Sequence, residues 1–189
     1  LWTNHQNIIK DASKEYGIPE QVIISTVCTE VYTVQNPASS WNVRCEDSQT
    51  QTFQNNPDAL QQLSNAIQGV EEFYYCHQAS PGGGNNCDNN QPGSYRRYNK
   101  YACSTGLAHM LPDTARIQGF TGHVDDLLLP KISIPLAAKF LSKLNKQYGL
   151  NYDPILLAAA YNKGRIQETN TYWGVFTFTQ NPPNGHLFR

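Results

Sequence analysis

With 189 residues, 39% of them hydrophobic, the chain is long enough for one domain with a real core. A net charge of −1 and the lack of any basic run of five residues leave no electrostatic footprint for nucleic acid. No apolar run approaches the roughly 20 residues of a membrane span. The chain starts at Leu1 without a basic, signal-type segment, so a mature form or a fragment of something longer is expected.

The first predicted helix runs from Trp2 to Tyr16, with Trp2, Ile8, Ile9, Ala12 and Tyr16 at roughly helical spacing and Gly17 as its cap. Pro19 suits the first turn of a second helix. Along that helix Ile23, Val27, Glu30 and Val34 share one face, and Ile24, Cys28 and Val31 fill the neighbouring stripe. One carboxylate therefore falls on a wide apolar face. Burial disfavours the charged form, so Glu30 is expected to keep its proton to higher pH than a free Glu and to be fit for general acid work. The competing reading is a helix-end Glu whose head group swings into water.

Asn36 to Thr52 is polar and turn-rich. Asn56-Pro57-Asp58 opens a third helix, whose stripe of Leu60, Leu63, Ile67, Val70 and Tyr74 carries it to about Cys76. Ala79 to Ser94, with PGGGNNCDNNQPG, reads as a long loop. Gly82 to Gly84 have neither the preceding strand nor the following Lys-Ser/Thr of a phosphate cradle. Tyr95 to Tyr101, YRRYNKY, interleaves aromatics with Arg96, Arg97 and Lys100. The chain's charge disfavours a nucleic-acid patch there, leaving a sugar-facing or polyanion-facing wall and a solvated helix face as the alternatives.

Five cysteines make an odd count. Cys28, in the apolar helix, reads as a buried free thiol. Cys45, Cys76, Cys87 and Cys103 cluster in the loop-rich region and suggest two disulfides, in one of three connectivities, and an oxidising destination. A zinc site built from these cysteines and His77 is the weaker rival, because no CxxC pair is present.

In Thr105 to Ala115, TGLAHMLPDTA, Gly106 permits an unusual turn or a close backbone approach, and Asp113 begins a short helix after Pro112. Leu127 to Leu129 is a short apolar run. Pro135 then opens a helix with Leu136, Ala137, Phe140, Leu141, Leu144 and Tyr148 on its apolar side, ended by Gly149. Asp153-Pro154 is an N-cap followed by Pro at the first helical position. Ile155 to Tyr161 is apolar all round, hence a buried helix, and runs into a turn at Asn162-Lys163-Gly164. The tail from Tyr172 to Arg189 reads as a brief strand or a surface wrap. The whole is mainly α, with a cysteine-bearing insertion near its middle.

Three stretches stand in order: a helix ending in Glu30, then GLAHMLPDTA from Gly106 to Ala115, then AAYNKG from Ala159 to Gly164. Together they resemble the lysozyme-like catalytic domains of soluble lytic transglycosylases, whose pattern is Glu-Ser, then Gly-Leu-Met-Gln-x-x-Pro-x-Thr-Ala, then Ala-x-Tyr-Asn-x-Gly. The lead-in Tyr16-Gly17-Ile18-Pro19 is also similar. The resemblance covers about Ile8 to Val34 and Ser104 to Ile166. It departs at Val31, where the family has Ser, and at Ala108-His109, where the family has Met-Gln.

The resemblance implies a lysozyme-like fold over one domain, 1–189, with an insertion of about 36–103 between the Glu helix and the Gly-Leu motif. It implies cleavage of the β-1,4 bond between N-acetylmuramic acid and N-acetylglucosamine in peptidoglycan. Glu30 would protonate the glycosidic oxygen, and then act as base as the substrate's C6 hydroxyl attacks to leave a 1,6-anhydro end. The substrate's N-acetyl group would stabilise the cation. A hydrolytic muramidase would instead use water and a second carboxylate at about 5–5.5 or 6.5–9.5 Å. The candidates are Glu46, Asp47, Asp58, Asp113 and Asp125, each of which reads more simply as a surface or capping residue. Gly106, His109, Met110, Tyr161 and Asn162 are the implied substrate-binding positions, with Tyr101 from the aromatic stretch before them. His109, in place of an amide, would bind sugar or titrate near neutral pH and make activity pH-dependent.

The departures keep a non-catalytic peptidoglycan-binding module open as an alternative. A cysteine hydrolase using Cys28 is disfavoured by the apolar helix around it. No cofactor or metal is implied. The expected partners are peptidoglycan glycan strands and, for an antibacterial effector, an immunity or inhibitor protein. A monomer is expected, in the periplasm or secreted towards the cell wall, as a wall enzyme or as part of a larger effector or phage protein.

Overall fold

The computed structural model describes residues 2–32, 43–45, 55–76, 85–86 and 96–163. The expectations for Val34, Glu46, Asp47, His77, Gly82 to Gly84, Cys87, Gly164 and the tail from Tyr172 lie outside these residues.

The described residues are mainly helical. Helix α1, Trp2–Tyr16, is kinked at His5 and closes at Gly17, whose N–H reaches the Ser13 carbonyl at 2.9 Å. Helix α2, Glu20–Tyr32, follows directly, with the Val22 and Ile23 N–H groups on the Pro19 carbonyl. Val22, Ile23, Thr26 and Val27 form its buried face, whereas Ile24 is half-buried and Cys28 exposed. The second stripe thus lies on the opposite side of Ile23–Val27 from the expected one, and Cys28 is not a buried thiol. The reason is the company α2 keeps. It packs against α1 and against two later helices, and Val22, Ile23 and Val27 share one core with them.

Helix α3, Pro57–Ala66, starts as expected: the Asn56 side chain accepts from the Ala59 N–H at 3.2 Å. It stops about ten residues before Cys76. Ile67 is already extended, Gln68 bridges to His123, and Gly69 takes a φ of 78°. A Cβ at Gly69 would lie 2.4 Å from the His123 ring, so only glycine lets the two segments meet. Ile67, Val70 and Tyr74 are buried as the stripe requires, but the last of them from a strand.

That strand is β2, Phe73–Cys76, and it pairs antiparallel with β4, Arg96–Asn99. The YRRYNKY stretch is therefore strand followed by a 3-10 turn, Lys100–Ala102, and not a helix face. Tyr98, Lys100 and Tyr101 are interior. A second sheet orders β3 (Asn85–Asn86), β1 (Val43–Cys45) and β5 (Cys103–Thr105), with β1 in the middle. Cys45 and Cys103 face each other across β1 and β5 and form a disulfide. That bond removes two of the proposed zinc ligands. Cross-linking residues 58 apart constrains the unfolded chain by about 4 kcal/mol.

Helix α4, Pro112–Ile117, and a 3-10 turn, Val124–Leu128, lead into α5, Pro130–Tyr148. Helix α5 begins five residues before Pro135, which sits inside it. Pro130 takes the first helical position. The bond that Pro135 cannot donate would have gone to Lys131, an exposed residue whose carbonyl water can serve. Gly149 ends α5 in the left-handed conformation. Helix α6, Pro154–Lys163, is capped by Asp153, whose Oδ1 accepts from the Ile155 and Leu156 N–H groups. The main core joins Ile9 of α1, Ile23 and Val27 of α2, Leu63 of α3, Leu141 and Leu144 of α5 and Leu157 of α6 with Leu107. Each such side chain contributes roughly 1.5–3 kcal/mol by leaving water.

Candidate active site

The site is built on a turn closed by two backbone bonds. Thr105 N–H to Met110 carbonyl is 3.0 Å, and Met110 N–H to Thr105 carbonyl is 3.1 Å. Within it the His109 N–H bonds the Gly106 carbonyl at 3.0 Å. Gly106 has a φ of 80°, and a Cβ there would lie 1.9 Å from the Leu127 carbonyl oxygen. The turn can lie flat on the 3-10 segment only because Gly106 has no side chain. His109 carries a φ of 42°, which costs a residue with a Cβ about 1 kcal/mol. The closing bonds on either side hold it there.

This turn aims His109 at the end of α2. Its Nδ1 stands 4.0 Å from Glu30 Oε2, with the two side chains 3% and 15% exposed. From α6 comes Tyr161, whose hydroxyl donates to the Ala108 carbonyl at 2.8 Å and whose ring packs on Phe140 with centroids 5.4 Å apart. Burial, and then the negative charge of Glu30, push the Tyr161 phenol well above its ordinary pKa, so it stays a neutral donor. Three elements distant in sequence thus bring Glu30, His109 and Tyr161 together.

The other sequence-derived positions fall elsewhere. Met110 and Tyr101 are in the core, and Gly106 lies against Leu127. Asn162 is exposed on the last turn of α6. Asp58 lies in the first turn of α3, and Asp113 pairs with Arg116 Nη2 at 2.9 Å.

Asp125 belongs to a polar cluster that sequence reading did not find. The Lys100 ammonium lies 2.5 Å from Asp125 Oδ2, 2.8 Å from Glu72 Oε2 and 4.7 Å from the centre of the Tyr74 ring. The Tyr74 hydroxyl donates to Asp125, and burial together with that carboxylate raises the phenol far above its ordinary range. His123 Nε2 is 3.2 Å from Glu72 Oε1. Glu72, His123 and Asp125 have the spacing of metal ligands, but the cation that two of them hold is Lys100. The cluster fastens β2 and the 3-10 turn after β4 to the Val124–Leu128 segment beneath Gly106. No local pattern announces it, because the bonds that join Glu72 and Tyr74, Lys100, and His123 and Asp125 span 25 to 51 residues.

No curated protein and no solved structure matches the chain. Residues 82–174 match the family model described as Transglycosylase SLT domain. The match takes in the turn with His109 and helix α6 with Tyr161, while Glu30 lies before it. It supports peptidoglycan lytic transglycosylase-type activity in general terms. Residues 82–174 are thus similar to the SLT-type, lysozyme-like transglycosylase domains.

Proposed function

We propose that the protein cleaves the β-1,4 bond between N-acetylmuramic acid and N-acetylglucosamine in peptidoglycan as a lytic transglycosylase, with Glu30 as general acid and then general base. The observation that carries this reading is the carboxylate of Glu30, 15% exposed, facing His109 and within electrostatic reach of Tyr161. A carboxyl group so placed can donate a proton in the first step. As the glycosidic bond breaks, the leaving oxygen takes that proton. The carboxylate left behind removes the proton of the attacking C6 hydroxyl.

Among the described residues, the engagement of two of the candidate carboxylates supports transglycosylation over hydrolysis. Asp113 is paired with Arg116, and Asp125 is held by Lys100 and Tyr74, so neither is at liberty to activate water opposite Glu30. The single-domain reading, with the disulfide-bearing insertion walling the glycan groove, belongs to the same proposal, as does work at the wall as a monomer in the periplasm or after secretion. Dye release from labelled sacculi by wild type beside Glu30→Gln tests it. Loss of at least 100-fold in the variant is expected. Full activity in the variant would overturn the role of Glu30.

A further inference from the structure

We propose that Thr26 is a positioning residue for Glu30: its hydroxyl donates a hydrogen bond to the Glu30 carboxyl group, and that bond strengthens as the proton leaves. This rests on the reading of Glu30 as the general acid. Thr26 is 1% exposed on the inner face of α2, and its Oγ1 has no hydrogen-bond partner among the described residues. A buried hydroxyl left unpaired costs stability, a cost that the methyl group of a valine would not carry. A threonine inside a helix often turns its hydroxyl back to the carbonyl four residues earlier. Here that carbonyl belongs to Val22. One of its two lone pairs serves the helix's own N–H bond, and the Ser25 hydroxyl takes the other at 3.0 Å. The ordinary acceptor of Thr26 is therefore occupied.

Glu30 is the next acceptor along the same face. Residues four apart on a helix stand about 5–6 Å apart at Cβ. Side chains lean towards the helix N-terminus, so Glu30 covers the turn that carries Thr26. The Glu30 side chain is 15% exposed, with His109 Nδ1 at 4.0 Å and the neutral Tyr161 phenol within electrostatic reach. A carboxylate offers about four acceptor positions, so a bond from Thr26 adds to these neighbours without displacing them. The bond closes as Glu30 turns to the glycosidic oxygen, a tightening common in substrate complexes.

The chemistry sets the sign. While Glu30 holds its proton, Thr26 donates to the carboxyl oxygen that carries none. When the proton passes to the glycosidic oxygen, the acceptor becomes an anion and the bond grows stronger. An interaction stronger in the transition state than before it speeds the step. The same bond favours the charged form at rest, and so lowers the protonated fraction of Glu30 as pH rises. Its benefit is thus expressed where Glu30 is protonated, below the alkaline limb of the pH profile.

Thr26→Val and Thr26→Ser, beside wild type and Glu30→Gln, test the assignment. Below the alkaline limb, Thr26→Val is expected to lower kcat/KM on purified peptidoglycan about tenfold, through kcat, whereas Thr26→Ser stays within about threefold of wild type. The limb of Thr26→Val should move to higher pH, so that its deficit narrows as pH rises. His109 and Tyr161 are common to both proteins, so the difference between the profiles reports Thr26. In urea, Thr26→Val should be no less stable than wild type. Wild-type activity of Thr26→Val below the limb, a Thr26→Ser variant as impaired as Thr26→Val, or a clear loss of stability in Thr26→Val would each overturn the proposal. Independently of catalysis, carbon-13 NMR titration of the Glu30 carboxyl, assigned by its loss in Glu30→Gln, should give a higher pKa in Thr26→Val than in wild type. Identical titration would also overturn it. Full activity of Glu30→Gln would sink the reading of Glu30 as the acid, while the NMR comparison still decides the bond.

Discussion

The Tyr161 hydroxyl donates to the Ala108 carbonyl at 2.8 Å and so ties α6 to the turn one residue before His109. Tyr161→Phe removes that bond and leaves a buried acceptor unpaired, which costs about 1–3 kcal/mol of stability. The imidazole is then less well aimed, so kcat should fall more than KM rises. Because Tyr161 is held neutral well above its ordinary pKa, the ratio of variant to wild type should be the same at pH 5 and pH 8. Parallel denaturation and steady-state measurements check this, and a ratio that changes steeply with pH would speak against a purely donating phenol.

Gly106 is the position least able to change. Gly106→Ala places a Cβ 1.9 Å from a backbone carbonyl, which cannot rotate away as a side chain can. Either the turn lifts off the 3-10 segment or the variant unfolds, at an expected cost above about 3 kcal/mol. Urea denaturation measures it. A loss below about 1 kcal/mol would mean that the turn does not lie on Leu127 as described.

Glu72 links stability to pH. Hydrogen bonds from Lys100 first and from His123 second hold its pKa below the ordinary 4.5. Folded Glu72 thus binds a proton more weakly than unfolded Glu72. Its contribution is full above about pH 4.5 and disappears as pH falls through the lowered value. Glu72→Gln should lower Tm at pH 7, with the gap to wild type closing on acidification below pH 4. A gap that widens in acid would contradict the sign.

The disulfide bears on the site through β5, since Thr105 is both the last residue of β5 and one side of the turn. Cys45→Ala with Cys103→Ala should lower stability by about 4 kcal/mol. Dithiothreitol should lower the Tm of wild type by more than that of the double variant. Loss of lytic activity should follow loss of fold in thermal inactivation.

Much of this was legible in the sequence where signals were local. Gly17, Pro19, Asn56, Asp153 and Gly149 are punctuation whose effect is confined to a turn, and the helix ends fall where they stand. Helical spacing found the buried residues Leu63, Ile67, Val70 and Tyr74 but misjudged the element, because a period of three or four is satisfied by any segment that packs on the same core. What ended α3 was the approach of Gly69 to His123, 54 residues later, which no local pattern records. The same limit hid the buried Lys100. Its neighbours in sequence are tyrosines and arginines, and its partners Glu72 and Asp125 come from elsewhere in the chain. Glu30, His109 and Tyr161 were legible only because residue types in a known order implied that they meet. The 4.0 Å approach of His109 to Glu30 came from the fold.

The most direct test of the central claim is mass spectrometry of the soluble products from purified peptidoglycan, wild type beside Glu30→Gln. The account predicts muropeptides with 1,6-anhydro ends from wild type and none from the variant. Products with free reducing ends would contradict the transglycosylase step and return the search to a water-activating carboxylate. Anhydro products from the variant would contradict Glu30 as the acid.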